Sequence, residues 1–546
     1  LEGSFVNHRF RKIGWAALLL GMAVASQAFA YAFKPEVVIG PGIDTGRTPY
    51  HQNWNRILDP DTLYTLTGIY YVDSTYSITI PAGTIVQGDT AATLIVSRGA
   101  RIHVNGTAAD PVVFTSRKSP GARARGDWGG VVLLGDAPCN KVDPLIEGGI
   151  IGGTYGGSNA AHDIGEFYYA RIEYPGYRFQ LNNEVNGLTM GAVGSGSEIH
   201  HVQVSYSFDD AFEWFGGTVD CDYLVAFGTT DDEFDTDFGY QGKIQFAYGQ
   251  KDPNLWDPTG ETNGFETDND ASGSGDVPFT GPTFSNVTLI GPARQDTMCA
   301  NLPTGNKHQY AGLIRRQSHH KIFNSVLGGF RWGFSIRDAG TIACATGTPD
   351  SCMVIRCTSL AACENPSGST SVHDEGRWAG VTSWYDAPWF GNTGSVARNL
   401  SALGLGDMSD FTDPNPVPQS GSELINSACF GHPYLGGFQI VTYRGAFDPA
   451  LPMNQQWTES WTNFDPQTTD YNPCFAGVEE SAPVKAGFSR SVPNPFNPTT
   501  TISCSIPRAG LVTVDVYDAA GNHVRKLHEA NESAGVASSV IWDGKS

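Results

Sequence analysis

Sixteen aspartates and glutamates, but only two lysines and no arginine, lie between Ser205 and Asp270. Their spacing repeats. Asp209-Asp210-Ala211-Phe212-Glu213 recurs 22 residues later as Asp231-Asp232-Glu233-Phe234-Asp235, with a fainter third copy at Trp256-Asp257. A step of that size matches one coil of a β-solenoid, in which equivalent positions stack. Strands so stacked lie about 4.8 Å apart, so Glu213, Asp235 and Asp257 would form a ladder of like charges. Two unit charges at that spacing repel by roughly 1 kcal/mol in water and by about 3 kcal/mol at an effective dielectric near 20. Such a ladder needs a cation, raised pKa values, or side chains splayed into solvent. Asp209, Asp210, Glu213, Asp231, Asp232, Asp235 and Asp237 are therefore candidate metal ligands, with calcium the oxygen-seeking ion of choice. By strand alternation Phe212, Phe234 and Trp256 point inward, and the adjoining carboxylates point outward together.

A second calcium reading rests on the run Asp268-Asn269-Asp270-Ala271-Ser272-Gly273-Ser274-Gly275-Asp276. Asp268, Asp270, Ser272 and Asp276 fall at relative positions 1, 3, 5 and 9 with glycine at 6, as at the front of a calcium loop. Position 12 is Phe279 in place of a bidentate glutamate. Carboxylates on adjacent coils also suit inverting glycoside hydrolysis, whose acid and base stand about 6.5–9.5 Å apart. A β-elimination lyase needs a Lys or Arg base beside calcium, and this stretch offers only Lys243 and Lys251. Trp384, Tyr385, Trp389, Trp457 and Trp461 lie in loop-rich sequence, where aromatic rings either stack on sugars or close the end of an apolar core. His200-His201 and His319-His320 sit in β-runs, so each pair is expected to send its rings to opposite faces.

The elements that must position these groups are short β-runs broken by glycine. Leu94, Val112 and Val131 recur at steps of 18 and 19, and Val202, Leu224 and Phe246 at 22. Turn residues at about this spacing predict a parallel β-helix, each coil burying its apolar side chains against the next. An antiparallel sandwich is the alternative, since β-runs alone carry no strand direction. On this reading residues 31–75 are an N-terminal cap, 76–340 the solenoid, 341–475 a cysteine-containing C-terminal cap with long loops, and 476–487 a linker. Cys344, Cys352, Cys357 and Cys363 are spaced unlike CxxC and have no histidine among them, which favours two local disulfides over zinc. Cys221 and Cys504 fall inside β-runs as buried thiols.

The formal charge is −22, with 65 glycines and 32 prolines. An acidic chain of this kind has nothing with which to displace phosphate counterions, so nucleic acid is excluded as a partner. Polyanionic glycans would be held only through bridging cations. Arg9, Arg11 and Lys12, the apolar run from Trp15 to Ala25 and the Ala28-Phe29-Ala30 pattern read as a signal peptide over 1–30. No other segment suits a helical membrane span.

Three stretches resemble known families. The order GARIHVNGTAADPVVFTS…WGGVVLLG looks like the opening coils of secreted right-handed β-helix proteins. The acidic coils together with GAFDP…WTESWTNFDP resemble a secreted β-helix family to which no activity is attached. Over 488–546, NPFNPTTTI and VYDAAGNHV resemble the Ig-like C-terminal module related to flagellar hook-capping proteins, also used as a type IX secretion sorting domain in the Bacteroidetes. Members continue past the WDG with a further strand, which implies a module incomplete at Ser546. The expectation is an all-β chain: a right-handed parallel β-helix followed by a small Ig-like β-sandwich, secreted or on the outer cell surface. The expected role is adhesion or binding of extracellular polysaccharide or cell-surface glycan, with calcium stabilising the acidic coils; the C-terminal resemblance adds engagement of export machinery by that module. The alternative is a polysaccharide-cleaving enzyme, hydrolase sooner than lyase, working on the acidic coils.

Overall fold

The structure is a computed structural model. It describes residues 31–472 apart from 33, 42–48, 149, 181–182, 295–301, 348–351, 363–371, 374–377 and 397. Beyond 472 it describes 475–476, 487–488, 499–505, 510–517, 523–532, 537–543 and 545. The expected signal peptide, Cys363 and nearly all of the linker lie outside these residues. Two compact units result, one comprising Pro35–Tyr471 and the other the remainder.

Pro35–Tyr471 is a parallel β-helix with three strand faces per coil. Among the described residues, the first face is an eleven-stranded sheet. It runs from Tyr50–Gln52 through Gly130–Leu134, Leu188–Gly191, Phe212–Phe215, Phe234–Asp237 and Phe265–Thr267 to Val372–His373. The second and third faces share a sixteen-stranded sheet. In the early coils they are separate strands, as in Ser77–Pro81 and Ile85–Gly88. In the middle coils they fuse into Gly165–Glu173, Glu198–Ser205, Cys221–Phe227, Lys243–Gln250 and Thr283–Ile290. Each fused strand bends at one left-handed residue: Tyr169, His201, Tyr223, Phe246 or Asn286, with φ between 45° and 57°. The pairing register steps over these five positions. A left-handed residue reverses the alternation of side chains, so both limbs keep an apolar face toward the core.

Parallel pairing begins before residue 76 and continues beyond 340. Glu36–Ile39 already pairs with Leu63–Leu66, and Phe334 pairs with Val372. The flanking coils use strands of only two to five residues, too short to show a period. The register also corrects the expected stacks. Leu94 stacks on Val131, but Val112 lies in the other sheet. Leu224 is followed by Ala247, because Phe246 is itself the bend residue. Phe212 and Phe234 stack as expected, and their third member is Phe265, not Trp256. Trp256 is half-buried in the segment between Lys243–Gln250 and Phe265–Thr267. That loop lengthens the coil to 31 residues, which a fixed 22-residue step could not anticipate.

Long segments clad two of the three faces. Residues 137–155 lay Ile146, Ile150 and Tyr155 against the outer side of the first face, on Tyr71, Ile95, Val132 and Leu134. The expected C-terminal cap turns out to be a strap along the solenoid's flank. Leu400, Leu403, Val417, Phe447 and Trp461 cover Val225, Phe227, Tyr248 and Ile290 of the third face. Strands covered on both sides read as continuous apolar runs, and here they do so. Cys344–Cys352 is the one expected local disulfide; Cys357 instead reaches Cys429 in the strap, 72 residues away. The buried Cys221 is a free thiol, as expected.

The other unit contains an antiparallel sheet of Gly487–Phe488, Thr500–Ser505 and Ala537–Trp542, and an antiparallel pair of Gly510–Tyr517 with His523–Glu532. No helix among the described residues is long and apolar enough to cross a membrane.

Candidate functional site: the acidic coils and the open face

Register assembles the acidic coils into two columns. At the turn entering the first face, Asp210 Oδ1 accepts the Asp232 backbone N–H at 2.8 Å, Asp232 accepts that of Asn263, and Asn263 Oδ1 accepts that of Tyr310 at 3.3 Å. This column holds successive turns in step. Three residues further on, Thr189, Glu213, Asp235 and Glu266 stack on the outer side of the face. Glu266, not Asp257, is therefore the third rung. It meets the Arg315 guanidinium, which also holds Asp268 at 2.9 Å. Glu233 is matched inside the core by fully buried Lys251 at 2.9 Å.

Asp210, Glu213 and Asp235 bring their carboxylate oxygens within 4.8 Å of one another, and Asp209, Asp210 and Asp231 do likewise. The face that carries them is neither a groove nor flat, because the covering segment closes over it. Glu147 from that segment and Glu213 both accept from the Asn186 amide. Glu213 and Asp210 are consequently buried. Burial, followed by the charges of Glu147 and Asp235, pushes the Glu213 carboxyl well above its ordinary range. Burial with Glu266 and Asp232 does the same to Asp235, and burial with Asp209 and Asp232 to Asp210. Asp231 and Asp237 are raised for the same reasons. Thr189 Oγ1, Asn186 Oδ1, Asp231 Oδ1 and Asp235 Oδ1 are buried oxygens without a hydrogen-bond donor among the described residues. Oxygen-rich, anionic and short of donors, the site can hold either protons or a hard divalent cation.

The run 268–276 is built differently from a calcium loop. Asp270 accepts Ser272 N–H at 2.8 Å and Ser272 Oγ at 2.6 Å, and the Lys141 ammonium sits between Asp270 and Asp276 at 3.0 and 2.9 Å. Asp268 is taken by Arg315 and Arg316. Protein cations fill this loop. The hydrogen bonds of Ser272, Ser274 and Lys141 outweigh burial and hold the Asp270 carboxyl well below the usual range. Among the aromatic candidates, Tyr385 and Trp461 are fully buried, which removes them from reach of a sugar. Trp384 and Trp457 are half-buried, their indole N–H groups donating to Ala345 O and Ala446 O at 2.9 and 2.8 Å. Trp389 remains exposed. Tyr385 and Trp384 close the core, and Trp457 and Trp461 anchor the strap.

The second face stays open over its early and middle coils, before Gln439 closes over Gln245 and Leu435 over Phe323. Its inward positions, such as Ile102, Phe167, Ile199 and Ile244, are buried, while its outward positions are polar. Glu166, Glu198, Asp220 and Lys243 follow one another along one edge of this face. Tyr168, His200, Asp222 and Gln245 form a stacked column beside them. A cleft of about 330 Å³ is lined by Glu198, His200, Asp220, Asp222, Lys243 and Phe438. Tyr168 stacks on His200 at 4.1 Å, and the Lys243 ammonium donates to Gly436 O at 2.6 Å. Burial and the neighbouring Asp220 push Asp222 up to about 6. The rings of His200 and His201 do not diverge as expected. The left-handed backbone of His201 brings the two Nδ1 atoms to 3.0 Å, and burial beside His200 drives the His201 imidazole down to about 3. His320 does point inward, buried and stacked on Phe284 at 5.2 Å. Sequence reasoning missed Glu147 and Asn186, which carry no local signal and act through long-range folding. Glu198, His200 and Asp222 were in plain view, as polar residues alternating with apolar ones along one strand.

No curated protein and no solved structure gives a significant match. A family model, the pectate-lyase-like β-helix domain, matches residues 50–375. That span covers the whole first face and the coils carrying both candidate sites, and the chain belongs to this family of pectate-lyase-like β-helix domains.

Proposed function

We propose that this is an extracellular polysaccharide-binding protein which lays a glycan along its open second face and uses calcium to hold its acidic coils. The observation that carries the reading is the division of labour between faces. Residues 137–155 lie over the first face and leave Asp210 and Glu213 buried and Asp231 and Asp235 half-buried, whereas the second face presents Tyr168, His200 and the carboxylates of Glu198, Asp220 and Asp222. Flat rings beside hydrogen-bonding side chains suit the apolar faces and hydroxyl edges of sugars. The cleft carries Glu198, Asp220 and Asp222, and its lysine is engaged by backbone, so neutral polysaccharides fit and polyuronates are repelled. Affinity electrophoresis should show retardation by a neutral glucan or xylan, lost in His200→Ala and Tyr168→Ala. Tight calcium-free binding of polygalacturonate would contradict the assignment. The C-terminal unit is assigned to surface sorting on its motifs.

Calcium is the cation we assign to Asp210, Glu213 and Asp235. At 100 times its dissociation constant a ligand adds about 2.7 kcal/mol to stability. Millimolar calcium should therefore raise the melting temperature and a chelator lower it, with the response blunted in Asp235→Asn and retained in Asp270→Asn. A response that disappears only with Asp270 would relocate the ion.

One observation favours catalysis as a second reading: Asp222, raised to about 6 in an open cleft with Glu198 and Asp220, has the character of a general acid. Release of reducing ends from a neutral glycan, abolished by Asp222→Asn, would establish it.

A further inference from the structure

The helix Ala339–Thr346 and the segment entering strand Val354–Arg356 bring Cys344 and Cys352 together as a disulfide. His319 belongs to the coil beneath, 25 residues before Cys344 in the chain. It places a ring nitrogen so that this atom and both sulfurs all lie within 4.8 Å of one another. Its placement is well supported. The imidazole stacks on Phe279 at 4.3 Å, its backbone N–H donates to Thr280 O at 2.7 Å, and Lys321 Nζ donates to its carbonyl at 2.9 Å. Two sulfurs and one imidazole on a preformed corner are a donor set for a borderline-soft divalent ion.

We propose that on reduction of Cys344–Cys352 this corner becomes a zinc site, with Cys344 Sγ, Cys352 Sγ and a His319 ring nitrogen as ligands and water in the fourth position. A small dithiol supplies the two electrons and two protons. The protein S–S bond breaks, two thiols form, and the dithiol closes to its own disulfide. Zinc then displaces both thiol protons to solvent, forming two Zn–S bonds and one Zn–N bond, and the neutral imidazole gives up only its lone pair. A small-molecule disulfide accepts the two electrons in the reverse step: its S–S bond breaks, two protons from solvent turn it into two thiols, the protein S–S bond re-forms and the zinc ion is released. One corner of the solenoid is thus closed by metal under reducing conditions and by a covalent bond under oxidising ones. This is independent of the polysaccharide and calcium assignments.

The test uses the full chain and cobalt as a spectroscopic stand-in for zinc, because the thiolate-to-cobalt charge-transfer band is blind to the acidic coils. The reduced protein should show this band at one equivalent, and zinc should displace it. The oxidised protein and the reduced Cys344→Ser/Cys352→Ser variant should lack it. In reduced His319→Gln, which keeps both thiols, affinity should fall at least tenfold. An equal band in the oxidised protein or in the double serine variant, or unchanged affinity in His319→Gln, would overturn the proposal. Should the double serine variant fail to fold, the His319→Gln comparison decides alone.

Discussion

Glu213 and Asp235 show how one residue's chemistry depends on what lies above it. Both sit on the outer side of a strand, where exposure would leave them ionised, yet Glu147, Asn186 and the covering segment bury Glu213, and Asp235 on the next coil is half-buried with its Oδ1 enclosed. Their folded-state pKa values lie above the unfolded ones. The folded chain therefore binds protons that the unfolded chain has shed, and in the absence of calcium stability falls as pH rises above the ordinary carboxylate range near 4. Asp222 adds its own decline between about 4 and the value of about 6 to which it is raised. In chelator, melting temperature should thus rise on acidification from pH 7 to 5, by less than the carboxylates alone would give, because burial holds the His201, His308 and His320 imidazoles low while the unfolded chain protonates its histidines below about 6.5, and saturating calcium should flatten or reverse that slope. Glu213→Gln should stabilise the calcium-free protein by on the order of 1 kcal/mol and destabilise the calcium-loaded one. The same sign in both conditions would dismiss Glu213 as a ligand.

At the scale of elements, the left-handed bend is the device that folds one long strand around a solenoid corner. Stacked bends place rings over one another: Tyr169 on His201 at 4.3 Å, His201 on Tyr223 at 4.4 Å, and Tyr223 on Phe246 at 5.1 Å. The next member is Asn286, whose amide donates to Tyr443 O in the strap at 3.0 Å and accepts from Gln245 at 3.1 Å. Asparagine tolerates positive φ better than most residues. Asn286→Ala combines backbone strain of roughly 1–2 kcal/mol with buried groups left unpaired at about 1–3 kcal/mol. Asn286→Gly should cost less, since it relieves the strain but not the lost hydrogen bonds. Urea denaturation of the three proteins orders these effects. Equal loss in both variants would assign the whole cost to the side chain.

For the whole molecule, the boundary between the two compact units predicts that residues 35–471 fold without the rest. The strap belongs to the solenoid: Arg171 donates to Trp461 O at 3.1 Å, Gln203 to Asn463 O at 2.8 Å, and Tyr471 to Glu173 at 2.5 Å. A chain ending at 471 should therefore keep the melting temperature of the 35–471 unit in the full protein. One ending at 395, which uncovers Val225, Phe227 and Tyr248, should aggregate or unfold. Sedimentation and calorimetry of both fragments check this.

What the sequence determined by itself was local and periodic. The glycine-punctuated β-runs specify parallel coils, and the 22-residue repeat places Phe212 on Phe234 and Glu213 on Asp235. Nearest-neighbour stacking makes such positions legible, because each coil repeats the last. Tertiary structure decided whatever depends on segments of unrelated length. An enlarged loop put Phe265 and Glu266 on the next rung in place of Trp256 and Asp257, and left-handed bends turned His201 toward His200. Returning loops buried the acidic columns, drew Lys141 into the 268–276 turn, and joined Cys357 to Cys429. Whether a carboxylate faces water, a proton or an ion is set by what packs over it, and no period in the chain records that.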